Sequence, residues 1–304
     1  MKERLILPAG YDRKMSIRET ERGVKMIKDM FERKLAKALC LERVSAPLFV
    51  KSGTGLNDNL NGIERPVAFD LLEQPGSVYE IVHSLAKWKR YALKKYTFSY
   101  DEGIYTDMNA IRRDEVADNI HSIFVDQWDW EAVIREKDRT QKSLREIVER
   151  IYGAIRRTEY LACEWYPQLK PFLPEKIFFI HAEELLQMYP DLTPKEREHA
   201  ICKKHGAVFI IGIGARLSNG EKHDGRAPDY DDWITPNTDG FVGLNGDMIF
   251  WNPILECPFE LSSMGIRVSP QSLMQQLKAR NCEERAELRF HQALIKGELP
   301  QSIG

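Results

Sequence analysis

No run of this 304-residue chain approaches the length of a membrane-spanning segment, and Leu5 to Leu7 is far too short for the apolar core of a secretion signal. A soluble, cytoplasmic protein without a membrane partner is expected. The five cysteines, Cys40, Cys163, Cys202, Cys257 and Cys282, are odd in number, widely spaced and free of any CxxC pair. Nothing in them suggests a disulfide framework, thiol redox chemistry or a thiolate zinc site. An excess of one charge is also missing: the formal net charge is -2, with 30% of residues charged. That balance argues against a dedicated nucleic-acid binder. No Pro-, Gly- or Ser-rich tether, low-complexity tract or solenoid-like repeat divides the chain, so a single domain over 1–304 is expected. Neither Gly53-Thr-Gly55 nor Gly212-Ile-Gly214 extends into a P-loop or a dinucleotide fingerprint. Ser262 and Ser263 lack a nucleophile elbow, which disfavours hydrolase chemistry.

What the sequence does contain is periodic. Val24, Ile27, Phe31, Leu35 and Leu39 recur at helical spacing, predicting an amphipathic helix from Ser16 to Cys40. A second long helix is predicted from Gln141 to Cys163, and a basic one from Leu85 to Tyr96. Val44 to Val50 reads as a strand whose Pro47 points to an edge or an interface. Further strands are expected at Ser77–His83, Lys176–His181 and Ala207–Gly214. Thr193 to Glu196 carries a capping box with proline in the first turn. Between Phe241 and Val268 strands follow one another with short turns, which favours antiparallel hairpins. Ser269 and Pro270 cap one closing helix, and Glu283 to Lys296 forms another. The expected fold is α/β of the α+β type, a mainly antiparallel sheet flanked by helices.

The chemistry concentrates from His223 to Arg267. Asp247 and Glu260 stand on apolar strand-like runs, where a carboxylate is costly to bury without a compensating cation, and a metal ion is the obvious one. His223, Asp224, Asp229, Asp231 and Asp232 form a second candidate metal cluster, with a solvated polar loop as the alternative. Strand alternation in Val125 to Trp130 places Asp126 and Trp128 on one face and Gln127 and Asp129 on the other. At the junction from His83 to Arg90, Ser84 with the first helical amides could bind an anion, and Lys89 adds charge. Arg112 to Glu115 reads as a polar turn. Gly53 to Gly62 is a polar loop whose only acid is Asp58.

Taken together, His83-Ser-Leu-Ala-Lys-Trp-Lys-Arg90, Val125-Asp-Gln-Trp-Asp-Trp130, Arg226-Ala-Pro-Asp-Tyr-Asp-Asp-Trp233, Gly243-Leu-Asn-Gly-Asp247 and Phe259-Glu-Leu-Ser-Ser-Met-Gly-Ile-Arg267 resemble the ammonia-dependent asparagine synthetases, or aspartate-ammonia ligases. The resemblance implies a catalytic domain like that of class II aminoacyl-tRNA synthetases, in a homodimer with Pro47 in the interface strand. It implies L-aspartate, ammonia and ATP as substrates, Mg²⁺ as cofactor, and a β-aspartyl-AMP intermediate that yields asparagine, AMP and pyrophosphate. It assigns Arg112 to the α-phosphate, Glu115 to the adenine end, and Asp247 with Glu260 to Mg²⁺ and nucleotide. Ser84, Lys89, Gln127, Asp129, Asp231, Ser262 and Ser263 become candidates for gripping aspartate. Asp58 becomes the acid that takes the ammonium proton, beside Arg112 and Lys89 as catalytic groups. In that family the chain continues past Gly304 into a glycine-rich strand and a helix with an ATP-binding arginine. A shortened, non-catalytic amino-acid or nucleotide-binding relative is therefore the alternative. A tRNA-charging enzyme is disfavoured by the near-neutral charge and the absence of an anticodon-binding region.

Overall fold

The computed structural model describes residues 5–57 and 64–304, so Asp58 lies outside the described residues. In chain order the elements are α1 (Ile17–Leu39), β1 (Leu41–Arg43), β2 (Phe49–Lys51), β3 (Ala68–Asp70), β4 (Val78–Ile81), α2 (Ala86–Lys95), β5 (Gly103–Ile111) and β6 (Phe124–Val133). Then come α3 (Gln141–Trp165), β7 (Phe178–His181), α4 (Ala182–Met188), α5 (Pro194–His205), β8 (Ala207–Ile211), β9 (Asn245–Asn252), β10 (Cys257–Gly265), α6 (Pro270–Ala279), α7 (Arg289–Ile295) and β11 (Ser302–Ile303).

Helix α1 starts where the sequence says it should. Ser16 accepts from the Glu19 amide while Glu19 reaches back to the Ser16 amide, which satisfies donors that the first turn leaves open. Helix α5 begins with the expected capping box at Thr193 and ends at Gly206, whose φ of 74° turns the chain directly into β8.

Strand β11 is the seam of the molecule. It pairs antiparallel with β6 through Ser302 opposite Val133 and Ile303 opposite Ala132. On its other side Ile303 pairs with Ile266, and the Gly265 amide donates to the Gly304 carbonyl at 2.9 Å. The two four-stranded sheets thereby become one, ordered β1-β5-β6-β11-β10-β9-β8-β7. Its pairs are antiparallel except β1 with β5 and β7 with β8. A second antiparallel sheet, β2-β4-β3, packs through Val50 on Met108 and Ala110 of β5.

One face of the large sheet is apolar. Leu35 and Leu39 of α1 and Leu144, Val148 and Ile151 of α3 pack there on Tyr105, Trp130, Met248, Phe250 and Ile303. The alternate residues point the other way. At one end Leu93 of α2 covers Ile104 and Val133, and at the other Leu185 and Ile201 of α4 and α5 cover Val208, Ile210 and Ile249. Between those caps the same face carries the polar residues of β6, β9 and β10.

Of the strand expected from Val44 to Val50 only Phe49 and Val50 are strand. Leu41 to Arg43 pairs with β5, Phe49 to Lys51 pairs with β4, and Pro47 sits in the irregular segment between them. Proline cannot donate to a ladder, and here the chain leaves one sheet for another at that point. The closing segment from Glu283 divides into a short 3-10 turn and α7 rather than one helix.

Candidate active site

Alternation along β6 separates two chemistries. Trp128 packs on Phe31 of α1, and Lys28 of the same helix pairs with Asp126. Asp129 and Glu131 face the opposite side, where Lys89 reaches them from α2. Lys89 is 1% exposed, and its ammonium pairs with Asp129, donates to the Trp130 carbonyl at 2.6 Å and lies 3.6 Å from Glu131. Its hydrogen bonds go to Asp129 and the Trp130 carbonyl, and Glu131 is held by charge at the longer distance. Lys89, expected to add charge to the site, is buried here between the two acids Asp129 and Glu131.

The contacts continue without a break across the seam. Glu131 accepts from Arg267 Nη2 at 2.7 Å, and Arg267 Nη1 also donates to Asp231. Asp231 in turn lies 3.4 Å from Arg226 Nε, and Arg226 Nη2 donates to Asp247. Ser263 Oγ is 2.9 Å from Asp247 and 2.8 Å from Glu260. Burial would raise Glu131, but Arg267 and Lys89 outweigh it and hold the carboxyl below its ordinary range. For Asp231 the balance reverses, and burial raises its pKa despite Arg267 and Arg226. Gly265 lets β10 lie close to β9 beside that acid, since a Cβ there would stand 2.6 Å from Asn245 Cβ and 3.1 Å from Asp231 Cγ.

Glu260 joins Asp247 because β10 is irregular. Ser263 opposes Asp247, Ser262 opposes Met248 and Glu260 opposes Ile249, so Leu261 is an extra residue. In a regular strand residues 260 and 263 would face opposite sides; the bulge returns both to the face of Asp247. The charge of Asp247, and secondarily burial, pushes Glu260 up to about 7. Ser262, opposite Met248, falls on the apolar side and is not brought to the carboxylates.

The candidate cluster at residues 223–232 is divided among several basic partners. His223 faces Glu198 at 3.2 Å, and Asp224 pairs with Lys195. Asp229 takes Lys87 and His291, each at 3.1 Å, and Asp232 takes Arg139 at 2.6 Å. Neither reading of this segment holds: Asp229, Asp231 and Asp232 are buried against basic side chains rather than solvated, and among the described residues no group of three or more His, Cys, Asp or Glu could hold a metal. The Asp247 and Glu260 pair is the better fit. Two carboxylates bridged by one hydroxyl repel each other, as the elevated Glu260 shows, and Mg²⁺ is commonly held by one or two carboxylates plus substrate phosphates.

Arg112 and Glu115 stand at the tip of the β5-β6 hairpin, lining a cavity of about 120 Å³ with Glu64, Arg65, His83 and Asp114. Among the described residues neither joins the network, and Arg112 Nε is buried without a hydrogen-bond partner. Gln127 is exposed on the face of Asp129. Ser84 Oγ accepts from the Ala86 amide at 3.1 Å, which opens α2 locally. Glu131, Arg226 and Arg267 were not among the sequence-derived candidates. Two were legible: Glu131 extends the alternation of Gln127 and Asp129 by one step, and Arg267 follows a strand that already bears acids.

The chain from residue 18 to 304 matches the family model described as Aspartate-ammonia ligase. A protein of Clostridium perfringens named aspartate--ammonia ligase is 58% identical over 99% of this chain and 87% of its own length. Proteins with that name from Parabacteroides distasonis and Bacteroides fragilis are 58% and 56% identical, with the same coverage. Among solved structures, asparaginyl-tRNA synthetase from Pyrococcus horikoshii complexed with asparaginyl-adenylate superposes with a TM-score of 0.65 at 12% identity, covering 93% of this chain and 62% of that one. The Entamoeba histolytica asparaginyl-tRNA synthetase in complex with asparaginyl-adenylate gives 0.62 at 10% identity, covering 96% and 66%. Those likenesses show the class II synthetase fold, and the sequence match shows that the chain belongs to the aspartate-ammonia ligase family.

Proposed function

We propose that the chain makes L-asparagine from L-aspartate, ammonia and ATP through β-aspartyl-AMP, releasing AMP and pyrophosphate. Near-complete alignment with proteins named as this ligase carries the reading, and it disfavours a non-catalytic relative. The pocket supports it by charge. Asp129, Glu131, Asp231, Asp247 and Glu260 are five carboxylates against three cations, Lys89, Arg226 and Arg267, in one connected network. Such a face accepts further positive charge, which an α-ammonium and a divalent ion would bring.

Asp231, Asp129 and Gln127 would take the α-ammonium, while Lys89, drawn from Asp129 by that ammonium, would turn to the α-carboxylate beside Ser84. Ser263, on the same face as Asp247, remains a candidate in that role, whereas Ser262 faces the apolar side. Holding both α-groups leaves only the side-chain carboxylate free to approach phosphorus. One of its oxygens bonds to the α-phosphorus as the bond to the β-phosphate oxygen breaks, and pyrophosphate leaves. Charge gathers on the phosphate, and Arg112 would meet it, with Glu115 at the adenine end. Mg²⁺ held by Asp247 and Glu260 would neutralise phosphate oxygens. Ammonia then attacks the β-carbonyl carbon and AMP departs with the bridging oxygen. Asp58 would take the ammonium proton. Asp58→Asn is expected to impair asparagine formation more than aspartate-dependent pyrophosphate exchange; equal loss in both would remove that role.

The reading includes a homodimer, for which exposed Leu48, Phe49 and Val78 offer apolar surface. Light scattering of the purified protein checks it: a monomer mass at working concentration would remove the dimer. The function itself is tested by AMP release, expected only when aspartate, ATP and ammonia are all present. ADP formation, or turnover without aspartate, would overturn it.

A further inference from the structure

Lys195 lies outside the network described above, yet the fold carries it toward the carboxylate pair. The turn at Gly206 folds α5 back along β8, and α5 packs against β9 and β10 as well. Its first turn, which contains Lys195, therefore lies toward the end of β8 where Ile210 opposes Asp247. Lys195 Nζ is 3.1 Å from Glu198 and 3.0 Å from Asp224, and Asp224 is two residues before Arg226, which holds Asp247. The side chain is 70% exposed, and its charge also acts on Glu260. Glu198 is held from behind by buried His223. Hydrogen bonds to both Glu198 oxygens and to Asp224 thus fix the position of an ammonium that stays open to solvent on its outer side.

We propose that Lys195 is a binding residue for the β- and γ-phosphates of the nucleotide and for the departing pyrophosphate, beside Asp247 and Glu260. This rests on the ligase reading. The phosphates carry most of the charge of ATP, and a positioned lysine outside the divalent-ion site would receive them as a point charge. Among the described residues Lys195 pairs only with Glu198 and Asp224, not with Asp129, Glu131 or Asp231 of the aspartate subsite.

The test compares Lys195→Ala and Lys195→Arg with the wild-type protein in the presence of Mg²⁺. For Lys195→Ala, the KM for ATP and the inhibition constant of pyrophosphate are expected to rise on the order of tenfold, the loss of one charge-assisted contact. The KM for aspartate and the inhibition constant of AMP, which lacks both phosphates, are expected to hold, and Lys195→Arg should recover most of the loss. Unchanged pyrophosphate inhibition in a folded Lys195→Ala protein overturns the proposal. So does an equal weakening of AMP, which would mean a general disturbance of the pocket. A wild-type protein that does not turn ATP into AMP at all would instead refute the underlying reading.

Discussion

At the scale of single residues, the pair of Asp247 and Glu260 is the most sensitive point. Glu260 is exposed, so the charge of Asp247 rather than burial dominates the rise to about 7. Asp247→Asn should therefore return Glu260 toward its ordinary carboxylate range, read by carbon NMR of labelled glutamate; an unmoved Glu260 would assign the shift to burial. The sign for stability follows from proton counts. Between the ordinary value of 4.5 and about 7 the folded state binds more protons than the unfolded chain, so this group lowers stability as pH rises through that window. Divalent-ion binding runs in the opposite direction, because the ligand must be ionised. Calorimetric titration should show Mg²⁺ affinity falling as pH drops below about 7, and Glu260→Gln should remove most of that dependence. A flat wild-type profile would separate Glu260 from the metal.

At the scale of elements, Arg267 ties β6 to the chain after β10 by pairing with Glu131 and Asp231 across the seam made by β11. Removing a buried cation leaves its acids uncompensated, which costs about 3–5 kcal/mol. Arg267→Met should lower the unfolding free energy from denaturant titration by that amount, whereas a change within about 0.5 kcal/mol would show the pairs to be dispensable. Much of this level was legible in the sequence. Capping boxes and helical spacing located α1, α3 and α5, because local hydrogen bonds and amphipathic burial fix those boundaries. The β9-β10 hairpin followed from short turns. The break at Pro47 was hidden because an apolar run is compatible with either one strand or two. The bulge at Leu261 was hidden for another reason: alternation assumes a period of two, and one extra residue reverses every face beyond it. That is why Ser262 and Ser263 looked equivalent in sequence and are not in space. The acids from 224 to 232 looked like one cluster because sequence proximity shows charge but not which distant lysine, arginine or histidine will claim each carboxylate.

At the scale of the whole molecule, one continuous sheet separates a hydrophobic back packed by α1 and α3 from a polar front that joins residues 89, 129, 131, 231, 247, 260 and 267. Among the described residues no helix is long and apolar enough to cross a membrane. The central claim is that the side-chain carboxylate of aspartate, held on this front, becomes an acyl-adenylate. Isotope transfer measures it most directly. With aspartate carrying ¹⁸O in its β-carboxylate, ammonia and ATP, the account predicts one ¹⁸O in the phosphate of each AMP formed and none in pyrophosphate. Unlabelled AMP, or label in pyrophosphate or orthophosphate, would contradict it.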